Sequence, residues 1–212
     1  MDEMMYMQRV SRGTAIVSLA LVGVALTACA KAPSAELESA EAAISTAVTS
    51  GAEEYATASL AAVRDLKAEL DTELGIQSQK FALTRSYDHA QELAVQMKAE
   101  ADAAAAEAVE AKEVVRQETT ALLTEVKVAL EDVQGMLASA PKGKGTAADL
   151  AALQGDLDSA KATLAEGETA FTEGRYLEAK TKIMAVQSGT LSVKTAIETA
   201  IQARTNRGRD EN

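Results

Sequence analysis

Apolar residues recur along most of this chain at intervals of three and four, the period of a helix buried along one face. Ser34 is a good helix N-cap, and Glu36 and Glu38 suit the positive end of a helix dipole. A first helix is therefore predicted from Ser34, with Leu37, Ile44 and Val48 on its apolar face and Ser50-Gly51 as its end. A second begins near Thr57, carries Leu60, Val63, Leu66, Leu70 and Leu74, and is expected to break at Gly75. After Lys80 there is neither glycine nor proline until Gly135. Over that run Tyr87, Ala90, Ala94, Met97, Ala101, Ala104, Ala108, Ala111, Val115, Leu122, Val126, Ala129, Val133 and Leu137 follow a largely 4-3 alternation, interrupted around Glu118 and Thr119. The spacing predicts one very long helix over about 80–139, roughly 90 Å if unbroken.

Pro141-Lys142-Gly143-Lys144-Gly145 is the clearest loop, spanning 141–146 with Thr146. Thr146 and Asp149 resemble a capping box opening a helix with Leu150, Leu153, Leu157, Ala160 and Leu164 on one face. Gly167 and Gly174 are expected to bracket a turn. A last helix from about Arg175 to Ala203 shows Tyr176, Ala179, Ile183, Val186, Val193, Ile197 and Ala200. Residues 204–212, of mixed charge and without apolar side chains, are expected to be disordered. The fold predicted is all-α: an extended antiparallel helical bundle or coiled coil, with a helical domain over 34–140 and a C-terminal hairpin over 147–203.

Composition sharpens this picture. Hydrophobic residues make up 47% of the chain but aromatics only 3%, and two prolines leave long runs uninterrupted. Much of the apolar content is alanine, which favours helix and close helix approach but buries little area. The net charge of −11 argues against nucleic acid, whose binding depends on neutralising phosphates with Lys and Arg. It also argues against holding an anionic bilayer by charge alone. A single cysteine allows no disulfide within the chain.

The N-terminus accounts for that cysteine. Thr14–Leu26 is an uncharged, almost wholly apolar stretch of thirteen residues. At about 20 Å it is short of the ~30 Å hydrocarbon core of a bilayer. Arg9 and Arg12 supply the positive flank of a secretory signal, and Leu26, Thr27, Ala28 and Cys29 follow. This sequence resembles the lipobox of bacterial lipoproteins. The resemblance implies a signal peptide over 1–28, removal of that peptide, a diacylglycerol group on the Cys29 thiol and an N-acyl chain on the new amine. Two or three acyl chains anchor a protein stably where one does not. Asp2 and Glu3 do not suit a signal's first segment, so Met7 is the expected start. Ala30 is not aspartate, which in the enterobacterial sorting rule implies the outer membrane, its inner leaflet facing the periplasm. Residues 29–33 form a short lipidated tether.

A weak internal repeat runs through the body. Leu60-Ala61-Ala62-Val63 recurs as Leu150-Ala151-Ala152-Leu153, and each is followed by a Tyr-x-x-Ala helix start, Tyr87 and Ala90, then Tyr176 and Ala179. Duplication and coincidence in alanine-rich sequence are both open. Such tyrosines suit the wedge between two helices near their turn, as in tetratricopeptide-like hairpins. Glu36-Leu37-x-x-Ala40, the Gly51-Ala52-Glu53-Glu54-Tyr55-Ala56 turn, and Ser86-Tyr87-Asp88-His89-Ala90 before Leu93-Ala94 resemble an alpha-helical domain of unknown function found in Gram-negative envelope lipoproteins. The resemblance spans about Ala35 to Ala108 and implies location rather than mechanism; Thr57 stands where that family often has proline. Tyr55, Tyr87 and Tyr176 are the candidate partner-binding or packing residues.

Candidate chemistry is sparse. His89 is the sole histidine, without a second His or free Cys to complete a metal site. Gly143-Lys144-Gly145-Thr146 lacks the Lys-Ser/Thr pair and preceding strand of a phosphate loop. Glu107, Glu110, Glu113 and Glu118 read as a solvated helix face, with Glu113 placed to pair with Arg116. The sequence thus leads to a non-catalytic, lipid-anchored organising protein. The alternative is an adaptor binding a protein partner in a concave groove. Neither reading calls for a noncovalent cofactor, metal, nucleic acid or small-molecule substrate, and the apolar seams close either within the chain or between chains.

Overall fold

The computed structural model describes residues 31–140 and 147–210. The expected signal peptide, its lipobox residues Leu26, Thr27, Ala28 and Cys29, and the loop at 141–146 lie outside them. Every regular element among the described residues is helical: α1 (Ser34–Thr49), α2 (Ala52–Tyr55), α3 (Thr57–Gln79), a 3-10 turn (Ala82–Thr84), α4 (Asp88–Ser139), α5 (Ala147–Thr172) and α6 (Tyr176–Asp210). The all-α class and the single very long helix follow the sequence pattern. The described residues divide into two compact units between Glu107 and Ala108, and α4, of 52 residues, contributes to both.

In the first unit α1 and α3 run antiparallel, tied by Lys67 to Glu41 at 3.7 Å, and the start of α4 returns beside α1, where Gln91 donates to Glu36 at 2.8 Å. The turn between α1 and α3 needs glycine, because Gly51 sits at φ 93° with the Tyr55 ring only 3.3 Å from where a Cβ would stand. Ala40, Ala43, Ala90, Ala94 and Ala101 pack with Val63, Leu70, Leu93 and Met97 in its core. The buried positions Ala90, Ala94, Met97, Ala101, Ala104 and Ala108 keep a strict 4-3 alternation along α4.

The second unit is built on larger side chains. Val126, Leu130, Val133 and Leu137 of α4 pack with Leu157 and Leu164 of α5 and Ile183, Val186, Val193 and Ile197 of α6. Lys127 to Glu168 (2.5 Å) and Lys161 to Gln134 (2.8 Å) set α5 antiparallel to α4, and Lys182 to Glu166 (2.7 Å) sets α6 antiparallel to α5. Lys180 to Glu118 (2.6 Å) places α6 parallel to α4.

Five boundary and seam expectations need correction. The long helix begins at Asp88, not near Lys80, because the Gln77 side chain holds the intervening segment in a turn by accepting from the Ser86 N–H at 3.1 Å. Gly75 does not end α3, which continues to Gln79; a single glycine costs a helix only about 1 kcal/mol against alanine, less than the buried Leu70 face contributes. Gly167 also lies within a helix, and Gly174 alone makes the turn, at φ 79°. Thr119, read as an interruption of the seam, is fully buried and satisfies its hydroxyl on the Val115 carbonyl at 2.6 Å. The fully packed seam steps eleven residues from Ala108 to Thr119, with Ala111 and Val115 only half-buried, which is the signature of a stutter. Finally, α6 continues through Asp210 where a disordered tail was expected after Arg204. Extending an existing helix adds one hydrogen bond per residue and requires no apolar face.

Candidate interaction surfaces

The three tyrosines sit at turns. The Tyr55 ring lies over Gly51, and Tyr87 packs half-buried against the first unit's core at the entry to α4. Tyr176 meets Phe171 across the Gly174 turn, ring centroids 5.2 Å apart and tilted at 55°, with Lys112 Nζ 6.0 Å from its centroid. An aromatic pair of this geometry staples the α5–α6 hairpin at its closed end. Each ring thus lies at or near a turn.

A groove of about 550 Å³ opens in the second unit between α4 and α6. Its walls are Ala129 and Val133 from α4 and Met184, Thr190 and Leu191 from α6, with Glu125, Asp132 and Lys194 among its polar residues. Met184 and Leu191 are 52% and 63% exposed, and they stand seven residues apart, two helical turns along one face. Thr190 at its base is nearly fully buried, its hydroxyl donating to the Val186 carbonyl at 2.7 Å. None of the three tyrosines lines this groove. The composition signal that could have found it is the pair Met184 and Leu191 beside the Ile183 and Val186 seam, which makes the apolar face of α6 wider than one neighbour can cover.

A second exposed surface is the turn between α3 and α4. Phe81 is 72% exposed, Leu83 82% and Ile76 48%. The turn is braced by Arg85, whose guanidinium donates to the carbonyls of Lys80 and Ser78, both at 2.9 Å. The Thr84 N–H closes on the Phe81 carbonyl at 2.8 Å. The apolar period alone runs Lys80–Tyr87 into the long helix, which gives no sign of an exposed aromatic here.

Electrostatics on the helices are those of solvated faces. Arg116 grips Glu113 with two hydrogen bonds of 2.7 Å, and Gln117 adds a third at 2.8 Å. Those bonds, Arg116 first, bring the Glu113 carboxyl from an ordinary 4.5 down to about 2, while the same pairing raises Arg116. The hydrogen bond from Lys182 likewise lowers Glu166. Glu107 takes a hydrogen bond from Ser59, and Glu118 pairs with Lys180. His89 is exposed, 4.0 Å from Glu69 and 3.8 Å from Glu92. Among the described residues, no group of three or more His, Cys, Asp or Glu is arranged to hold a metal ion, and no helix is long and apolar enough to cross a membrane.

Both surfaces expose apolar side chains, and the groove adds the charged residues Glu125, Asp132 and Lys194 to its lining. Comparison with protein families, curated proteins and solved structures finds no match to this chain.

Proposed function

We propose that this chain is a lipoprotein of the bacterial envelope, anchored through Cys29 in the inner leaflet of the outer membrane and facing the periplasm. It acts there as a non-catalytic protein that organises envelope components through its helical surfaces. The observation that carries the reading is the position of the sole cysteine, directly after Leu26-Thr27-Ala28 at the end of a short apolar stretch with Arg9 and Arg12 before it. Only Ala30–Pro33 separate it from the first helix, so the lipid would hold the helical body close to the bilayer.

A more specific form of the reading is favoured by the α4–α6 groove: an adaptor that takes an amphipathic helix of a protein partner along Met184 and Leu191. Its tyrosines then serve packing, and the groove supplies recognition. Crosslinking the native lipoprotein in intact cells, with Cys29→Ser as the untethered control, tests both forms. Recovery of subunits of one envelope assembly, lost in the control and weakened by Leu191→Asp, supports the adaptor. Recovery only of the protein itself and abundant neighbours supports a structural spacer. Full function of the untethered chain contradicts anchoring as part of the mechanism.

A further inference from the structure

The two most exposed large apolar side chains described in the structure, Phe81 and Leu83, sit together on the braced turn between α3 and α4. Phe81 is one of two phenylalanines in the chain. The turn is held by Arg85 on the Lys80 and Ser78 carbonyls and by the buried Gln77 side chain on the Ser86 N–H. The structure thus fixes a conformation that presents both side chains to the surroundings. Charge singles out the same segment. In a chain of net charge −11, residues 74–87 carry Lys80 and Arg85 and no acidic residue.

Placement identifies the occupant. Gln91 at the start of α4 donates to Glu36 at the start of α1, so the turn and the N-terminus of α1 lie at the same end of the first unit. The Lys67–Glu41 pair fixes the antiparallel register of α1 and α3. Carried back along α1, that register sets Ser34 opposite Leu74, and α3 continues five residues beyond, to Gln79. At 1.5 Å per residue the turn stands about 8 Å past the start of α1. Cys29 is five residues before Ser34, and five extended residues span up to about 17 Å. The tether is long enough for its lipid and the turn to meet one surface.

We propose that the Lys80–Arg85 turn seats in the bilayer that holds the anchor, with Phe81 and Leu83 in the interfacial region and Lys80 at the lipid phosphates. Aromatic and aliphatic side chains flanked by lysine suit that layer, because the apolar groups leave water while the amine stays hydrated. The lipid and the turn then make two points of attachment, which orient the first unit against the membrane. This inference rests on the lipoprotein reading above.

The test uses full-length lipoprotein purified from membranes and reconstituted into vesicles of phosphatidylethanolamine and phosphatidylglycerol. The lipid occupies the native cysteine, so Ala82→Cys can be labelled selectively with an environment-sensitive fluorophore, and Glu54→Cys, at the opposite end of the unit, serves as control. The expected result is a blue shift and brightening at position 82 on reconstitution, quenched by nitroxide-bearing lipid. The signal should be absent at position 54, and lost at 82 when Phe81→Ser and Leu83→Ser are added. A chain that floats with the vesicles but leaves position 82 as water-exposed as position 54 overturns the proposal alone. A blue shift that nitroxide lipid does not quench assigns the turn to a protein contact and also overturns it. A chain whose Cys29 is unmodified and that does not float removes the lipoprotein reading and this proposal together.

Discussion

The two units of this chain bury their helices with different materials. Five of the nine buried residues in the first unit's main cluster are alanines, against three of thirteen in the second. An alanine interior lets helix backbones approach closely but removes less apolar area per residue from water. A Leu, Ile and Val interior holds its helices farther apart and gains more per residue. The first unit should therefore be more sensitive to added volume, and the second to lost volume. The difference follows α4 itself: its buried face is mostly alanine over Ala90–Ala108, with Leu93 and Met97 among them, and Val, Leu and Thr after the eleven-residue step to Thr119.

The largest effect expected on that comparison is cavity formation in the second unit. Leu157→Ala or Ile183→Ala, each at a fully buried position, should cost about 2–5 kcal/mol in chemical denaturation. Equal tolerance of both changes would mean the second core is loosely packed. Next comes overpacking in the first unit. Ala94→Leu, at 0% exposure, should cost about 1–3 kcal/mol, and a stabilised variant would show that the alanine seam has room to spare.

The glycines give a smaller and sharper contrast. A Cβ at Gly155 meets nothing within 4 Å, so Gly155→Ala should raise stability by about 0.5–1 kcal/mol through helix propensity. At Gly167 the same Cβ would stand 3.1 Å from Ile183 Cγ1 and 3.4 Å from Lys182 Cβ, both on α6. Gly167→Ala should lose that benefit, and a melting temperature raised as much as by Gly155→Ala would refute the close approach.

The smallest effect is electrostatic. The folded-state value of Glu113 is depressed from 4.5 to about 2. Its contribution is therefore complete above the ordinary carboxylate value and is lost as pH falls from about 4.5 through about 2. The solvent-facing pair should add only slightly to acid sensitivity. Melting curves between pH 6 and pH 2.5 should accordingly fall a little less steeply for Glu113→Gln than for the parent chain; an identical pH dependence would show the pair to be without effect.

Much of the fold was legible in the sequence, and the parts that were not share a cause. The apolar period gave α1, α3, α4, α5 and α6 and the 4-3 seam of α4, whereas the four-residue α2 read only as part of a turn; Gly51 marked a true turn because its positive φ favours glycine. Gly75 and Gly167 misled because an isolated glycine is only a weak breaker, and packing along Leu70 and Ile183 outweighs it. Thr119 looked polar, yet a threonine can spend its hydroxyl on its own helix and present a methyl group to the core. The start of α4 was misplaced because Gln77 and Arg85 build a turn through side-chain bonds that no local pattern announces. That same turn hid the exposed Phe81 and Leu83. The tyrosines were placed correctly near turns, while the groove on α6 depends on which neighbours cover Met184 and Leu191, a tertiary property.

The most direct test of the central claim is the intact mass of the protein recovered from the membrane fraction. The account predicts a chain beginning at Cys29, its mass raised by a diacylglyceryl group and an amide-linked acyl chain, and a Cys29→Ser form that carries neither. A membrane-derived chain with an unmodified cysteine, or with residues 14–28 still attached, would contradict it.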